Sequence, residues 1–359
     1  MSYQNGAINE KLRNLTKTGT ENPSPPESFS SDSRAHLLHA LEGLDRYPNY
    51  LNRWNERDME ELEVALQQQL AKVRQQRQAI QARRGAIAEL TNQQVPVSLE
   101  RPSSWEEVKA LLDPALVKAI FQSRQFRKNP PSLDQVLSGE TALELDANLL
   151  ESLMDQEVYD VYSLSLFQQS FCDDIRTYIC NVKKLGDASL NMGTRPIDLD
   201  TIGLSWINDL LLHLIVRPIS HHLYKDTECV GGDLDWRQGY VAAYSAQPET
   251  RNRLVAHTDD SEITLNLGLG EGFEGGNLEF WGLRSDGDRE RLGDYEPIKG
   301  RALLHAGRHF HQVTRVIKGD RYALILWARS WSGARAQTCP CCWLNRRQDS
   351  TCICGSRWN

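Results

Sequence analysis

The feature that most constrains this chain is a series of short apolar segments in its C-terminal half. They run over residues 239–244, 262–267, 275–281, 300–305, 311–316 and 321–327, and the second, Glu262-Ile263-Thr264-Leu265-Asn266-Leu267, alternates with period two. Successive side chains of an extended chain point to opposite faces, so this alternation marks strands. Short strands with turn signals at fairly regular spacing read as an antiparallel sandwich or barrel. Gly270-x-Gly272-x-x-Gly275 falls inside the series and matches a dinucleotide fingerprint. Such a loop must open a helix, so that a pyrophosphate sits at the helix N-terminus. Here Leu278, Phe280 and Leu283 continue a strand pattern, and the glycines read as a turn between strands.

Within this series, His257-Thr258-Asp259 sets two metal-binding side chains two residues apart. In an extended segment they project from one side of the strand and can hold one ion. Alone the triplet is common by chance and equally describes a solvated histidine beside a loop carboxylate. A third imidazole from another strand would complete a 2-His-1-carboxylate face, which leaves positions open on a non-haem Fe(II) centre. His305, His309 and His311 are all close enough in sequence to one another to compete for that place. Arg321 adds a permanent cation whose fork suits bidentate capture of a carboxylate. Arg329 is its rival, an even number of residues along the same segment and hence on the same strand face.

At these residues the chain resembles a known family. His257-x-Asp259, Gly275-Gly276-x-Leu278-x-Phe280, Lys299-Gly300-Arg301-Ala302-Leu303 and His311-x-Val313-x-x-Val316-x-x-Gly319-x-Arg321-Tyr322 are similar to the prolyl-4-hydroxylase-type branch of the 2-oxoglutarate, Fe(II)-dependent dioxygenases. Val161-Tyr162-Ser163-Leu164-Ser165-Leu166-Phe167 extends the likeness upstream. The resemblance implies an α+β protein, with a double-stranded β-helix (jelly-roll) catalytic domain and an N-terminal helical region. It selects His311 from the three candidates, giving His257, Asp259 and His311 as iron ligands. Arg321 would bind the distal carboxylate of 2-oxoglutarate, with Tyr244 near the cosubstrate and Asn266 on the strand facing it. The family's lysine is replaced here by Arg321, which keeps the charge and changes the geometry. Implied as well are Fe(II), 2-oxoglutarate, O₂ and ascorbate, and hydroxylation of a protein side chain of prolyl or lysyl type. Nucleic-acid dealkylation is the alternative within enzymes, but that branch carries a second arginine where this chain has Trp327. A non-catalytic binding module on an oxygenase scaffold is the alternative outside them.

The rest of the chain sets the boundaries. A length of 359 residues exceeds one typical domain. A formal charge of −7 does not favour tight non-specific binding to nucleic acid, which rests on phosphate neutralisation. No secretory pattern is visible at the N-terminus and no apolar run approaches the ~18 residues of a membrane span. The greasiest stretch, residues 210–216, is interrupted by His213 and reads as a buried helix. Four segments are expected: a disordered tail over 1–34, rich in proline and serine; a helical region over 35–155; the dioxygenase domain over 156–335; and a cysteine-rich tail over 336–359. Within the helical region, Met59, Leu66, Val73, Ile80 and Ile87 recur every seven residues, with Leu62, Gln69, Gln76, Arg83 and Leu90 beside them. This is half of a coiled-coil seam, and the plainer reading is one amphipathic helix packed on its own domain. Ser103-Ser104-Trp105-Glu106-Glu107 reads as a helix start and Asp113-Pro114 as an N-cap and N1 pair.

Eight cysteines are present, and Cys339, Cys341, Cys342, Cys352 and Cys354 crowd the C-terminus. This is not the spread of a secreted disulfide framework, and the expected compartment is reducing, cytosol or nucleus. Cys339, Cys342, Cys352 and Cys354 could close a tetrahedral zinc site, or form a cluster of reduced thiols.

Overall fold

The computed structural model describes residues 55–91, 94–185, 196–223, 234–248, 250–283, 291–307 and 309–330. The tail over 1–34 and the terminal cysteine cluster lie outside the described residues. Among the described residues, no helix is long and apolar enough to cross a membrane.

The described residues open with a long helix, α1 (Glu56–Thr91), and a 3₁₀ turn (Val97–Leu99), then short helices α2 (Trp105–Leu111), α3 (Pro114–Phe121), α4 (Arg124–Lys128), α5 (Leu133–Leu137) and α6 (Ala147–Glu151). Local chemistry starts them. The Ser104 hydroxyl accepts from the Glu107 N–H, while Glu107 reaches back to the Ser103 N–H at 2.6 Å. Asp113 caps α3 through the Ala115 N–H, with Pro114 at its first turn. These donors have no partner within the helix, so the caps satisfy them.

Strands β1 (Asp155–Val158) and β2 (Val161–Ser165) follow, then α7 (Gln169–Val182), β3 (Ile197–Asp198) and α8 (Ser205–Leu210). The apolar stretch at 211–216 continues α8 as a buried π-helical segment and leads into α9 (Arg217–Leu223). The remainder is strand: β4 (Trp236–Ser245), β5 (Leu254–His257), β6 (Ile263–Gly268), β7 (Glu274–Gly275), β8 (Leu278–Leu283), β9 (Gly293–Tyr295), β10 (Arg301–Ala306), β11 (His309–Val313), β12 (Val316–Lys318) and β13 (Asp320–Arg329).

Two antiparallel sheets hold most of these strands. The larger runs β1-β2-β10-β6-β13-β4-β3 and the smaller β5-β11-β8-β9. From β4 onward the main strands alternate between them, which is the winding of a double-stranded β-helix. The sheets meet through two apolar clusters. One joins Ala242, Tyr244, Ala323 and Ile325 of the larger sheet to Val313 of the smaller, and the other joins Val161 and Leu303 to Leu278, Phe280 and Tyr295. The opposite face of the larger sheet presents Val241, Leu265, Leu267, Leu304, Leu324 and Leu326 to the helices, in a core continuous from Ile87 to Ala328. A sheet covered on both faces carries apolar side chains on both, and β6 is buried at every position. The glycine fingerprint opens no helix: Gly272, in the loop before β7, and Gly275, in β7, take positive φ, 80° and 78°.

The consecutive segments at 311–316 and 321–327 do not share one sheet. β11 belongs to the smaller sheet and β13 to the larger, with β12 paired to β7 between them. Nor is α1 packed along its length. Ile87 and Thr91 are its buried residues, and Met59, Leu66, Val73 and Ile80 stay exposed. Only the end of the seven-residue pattern meets the domain.

Candidate metal and cosubstrate site

Strand pairing brings the sequence motif together. His311 stands directly opposite His257 across the β11–β5 ladder, with ring centroids 4.4 Å apart. Asp259 follows two residues after His257, held by its own N–H donating to the Gly307 carbonyl at 2.7 Å. A Cβ on Gly307 would lie 2.1 Å from the Ser261 carbonyl oxygen, so glycine is required for that approach. His257 Nε2 is 3.3 Å from Asp259 Oδ1, and His311 Nε2 is 3.7 Å from Oδ2. One ligand atom from each residue lies within 4.8 Å of the others. Ligand atoms ~2.1 Å from one ion and at right angles sit about 3 Å apart, so the three fit a single ion after a small contraction.

The surroundings prepare the donors. His257 Nδ1 donates to the Val255 carbonyl and His311 Nδ1 to the His309 carbonyl, each at 2.8 Å. These bonds direct both Nε2 atoms toward Asp259, as second partners of metal-bound histidines do. Thr264 donates to Asp259 Oδ2 at 2.7 Å, and its oxygen sits 2.7 Å from the Ser261 hydroxyl. Thr264 has one proton and gives it to the carboxylate, so Ser261 is the donor of that second bond.

Charge follows from burial and proximity. Burial raises the Asp259 pKa, but the neighbouring His311 and His257 more than offset it, and the carboxyl lies well below the usual range. At His257 burial opposes the charge, yet hydrogen bonding to Asp259 and its charge outweigh it, and the pKa rises. His311 is farther from the carboxylate; burial wins and its pKa falls well below 6.5. An anionic carboxylate and a neutral imidazole are the donor states a metal needs.

The competing histidines are occupied elsewhere. His305 Nε2 is 3.3 Å from Asn266 Nδ2 and its Nδ1 is 2.9 Å from the Ala306 carbonyl. His309 Nε2 donates to the Tyr159 carbonyl at 3.0 Å. Neither joins the His257, Asp259 and His311 group.

Arg321 is paired in register with Tyr244 on β4 and is only 2 % exposed. Its guanidinium lies 5.2 Å from the Tyr244 ring centroid, and its Nε has no hydrogen-bond partner. Gly276, at φ 74°, makes room for it, since a Cβ there would sit 2.8 Å from Arg321 Cδ. Arg329 is committed: its Nη1 donates to Asp260 Oδ1 at 2.7 Å. A buried guanidinium with an unsatisfied N–H invites an anion. Tyr244 and His257 line one cavity of about 200 Å³, together with Tyr240, Arg251, Leu254 and Trp327. Tyr240 and Trp327 meet edge to face at 5.6 Å. Ser261, Thr264 and Arg251 were not marked by the sequence motif. The first two could have been found from their spacing after Asp259 in the turn into β6; Arg251 carries no such signal.

No family model matches the chain. The Arabidopsis thaliana 2-oxoglutarate and iron-dependent oxygenase domain-containing protein ICU11 is 31% identical over 192 residues, covering 50% of this chain and 47% of that protein. The chain thus spans about half the length of that relative. The Xenopus tropicalis 2-oxoglutarate and iron-dependent oxygenase domain-containing protein 2 is 28% identical over 273 residues, covering 73% of this chain and 72% of that protein. Among solved structures, a Pseudomonas putida prolyl-4-hydroxylase aligns over 52% of this chain and 94% of its own, at 16% identity and a TM-score of 0.34. By sequence, the chain is similar to these 2-oxoglutarate and iron-dependent oxygenase domain-containing proteins.

Proposed function

We propose that the chain is an Fe(II)- and 2-oxoglutarate-dependent dioxygenase that hydroxylates a protein side chain, with residues 156–335 as its catalytic unit. The observation that carries this reading is the convergence of His257, Asp259 and His311 on one small volume, in a cavity shared with Tyr244, against which the buried Arg321 lies. His257, Asp259 and His311 would hold the iron, and Arg321 the distal carboxylate of 2-oxoglutarate, with Tyr244 shaping the pocket beside it. Ferrous iron bound with 2-oxoglutarate and O₂ supplies oxidative decarboxylation to succinate, coupled to hydroxylation of a C–H bond.

The chain's own residues do the rest. Thr264 and the two backbone carbonyls fix the direction of the three donors before any ion arrives, which lowers the reorganisation that binding requires. Phe280 stacks 5.8 Å from the His311 ring and, with Leu278, keeps that wall dry. Low local polarity strengthens the attraction between Arg321 and a carboxylate. Tyr240, Leu254 and Trp327 leave an apolar approach beside His257, suited to a side chain carried on a peptide.

The test is succinate formation from 2-oxoglutarate by the purified protein, screened over peptide and nucleic-acid panels. Peptide-dependent turnover and a matching mass increase of one oxygen are expected. Stimulation by methylated nucleic acid alone would replace the substrate class. Asp259→Ala should lose both iron and turnover, since two ligands rarely hold Fe(II) against water; full iron occupancy in that variant would refute the ligand assignment.

A further inference from the structure

The helix α1 is 36 residues long, or about 54 Å. From residue 55 to residue 82 no position is buried, and only Leu62 is partly covered. Yet it carries an apolar row: Met59, Leu66, Val73 and Ile80 are 39, 41, 57 and 55 % exposed. A row of large apolar side chains along a solvated helix calls for a cover. Beside it runs a second row. Glu56, Glu63, Leu70, Arg77 and Arg84 recur every seven residues, so they lie along one line, next to the apolar one.

This second row is antisymmetric in charge about Leu70. Laid antiparallel on a second copy of itself, it sets Glu63 against Arg77 and Leu70 against Leu70, and brings Glu56 to Arg84, which also pairs with Asp198 of its own chain at 2.9 Å. Laid parallel, it sets glutamate on glutamate and arginine on arginine. The apolar row is symmetric about nearly the same point, pairing Met59 with Ile80 and Leu66 with Val73. The two centres differ by half a residue, or about 0.75 Å along the axis. The helix macrodipole favours acids in a first turn and bases in a last. That effect fades within one turn and does not place Glu63 and Arg77 equidistant from a central leucine.

We propose that α1 is a self-complementary dimerisation helix, pairing antiparallel with α1 of a second copy of the chain. Gln69 and Gln76, in the companion row, make the seam half polar, which weakens the pairing and favours one register. At its far end α1 walls a groove: Ile80, Arg83, Arg84 and Ile87 face Pro196, Ile197 and Asp198. Pro196 and Asp198 also line the cavity beside His257. The antiparallel arrangement therefore carries the acidic start of the second copy's helix to the approach of the candidate site.

The experiment uses the full chain, with sedimentation equilibrium from about 1 to 200 µM and helicity followed by circular dichroism. A monomer–dimer equilibrium is expected. Glu63→Arg and Arg77→Glu should each weaken self-association by about tenfold, because each replaces two attractive cross-copy pairs by two repulsive ones. Mixing the two variants, or combining both changes in one chain, should restore dimerisation. Val73→Ser, on the apolar row, should also weaken it without altering the fold. A monomer throughout the range overturns the proposal. So does a dimer that neither charge variant weakens, or one that the mixture fails to rescue.

Discussion

Strand β6 and the first 27 residues of α1 carry equally regular apolar patterns under opposite conditions. Every residue of β6 is buried, while residues 56–82 of α1 contain no buried residue. Strand β6 sits between β10 and β13, with Leu265 and Leu267 toward the helices and Thr264 and Asn266 on the other face, toward Asp259 and His305. Among the described residues, the arm has no such neighbours along its length. A period in sequence states which face of an element is apolar; it does not state what covers that face. The difference also divides what substitutions should do. Changes beside β6 should cost metal and cosubstrate binding, and changes along the arm should cost self-association.

The largest expected effect tests the buried end of this contrast. Arg321→Ala should weaken 2-oxoglutarate binding by roughly 30- to 1000-fold, about 2–4 kcal/mol, because the distal carboxylate would be left in a cavity without its partner. Arg321→Lys should retain part of the affinity, since the charge survives and the fork is lost. Titration of 2-oxoglutarate against both variants, with iron binding measured in parallel, checks this. If Arg329→Ala abolishes cosubstrate binding while Arg321→Ala keeps it, the roles are reversed.

Next comes Thr264→Val, which keeps the shape of the side chain and removes the proton given to Asp259. Iron affinity should fall about 10- to 100-fold, the usual cost of losing a partner behind a ligand, with 2-oxoglutarate affinity at saturating iron nearly unchanged. A competition assay with a metal chelator reads the first, and a binding isotherm the second. Equal iron affinity in the variant would show that the Ser261–Thr264 pair serves the turn rather than the ligand.

These two residues mark the limit of legibility in the sequence. The strands were legible because a half-buried strand must alternate, and His257, Asp259 and His311 because few chemistries need that set. Arg321 was visible as a cation, but its sheet was not. Its strand, β13, leaves the layer that holds His311 and pairs with β4. Handing a strand from one layer to the next depends on the turn at Thr314 and Arg315 and the short β12, where no periodic signal exists. Thr264 looked like an ordinary strand residue, since its role is a contact made across a turn. For α1, the seven-residue period was plain, and the expected covering by its own domain was not met.

His213 extends the comparison to the helical layer. It lies in the π-helical segment, where Arg217 Nη1 donates to its Nδ1 at 3.1 Å. Burial first, then the charges of Arg217 and Arg237, push its pKa down from 6.5 to about 4. A folded pKa below the unfolded one means that the unfolded chain binds more protons between these values. The contribution to stability is therefore complete above pH 6.5 and is lost as pH falls through 4. Its size is on the order of 1–2 kcal/mol, after a discount for the partly exposed ring. Asp160, whose carboxyl burial raises to about 7, runs the other way over the same range. The measurement is thus a difference: urea unfolding of wild type and His213→Asn at pH 7 and pH 4.5, where the wild type should lose more. Parallel losses in the two proteins would remove His213 from the account.

The smallest effect lies at the junction of the two regions. Gly85 stands inside α1 between the exposed arm and the packed turn at Ile87, and a Cβ built there meets nothing within 4 Å. Glycine in a helix interior costs about 0.5–1 kcal/mol relative to alanine, through the backbone freedom it loses on folding. With no contact to offend, Gly85→Ala should recover that amount. The gain has two places to appear. If the arm unfolds together with the domain, Tm should rise by about 1–2 °C. If the arm frays independently, helix content at 25 °C should rise while Tm holds. Circular dichroism during a thermal scan separates the two, and so reports whether the exposed arm and the buried core are one cooperative unit. A lower Tm in the variant would mean that residue 85 meets a surface, and that the arm is covered closer to the domain than its exposure indicates.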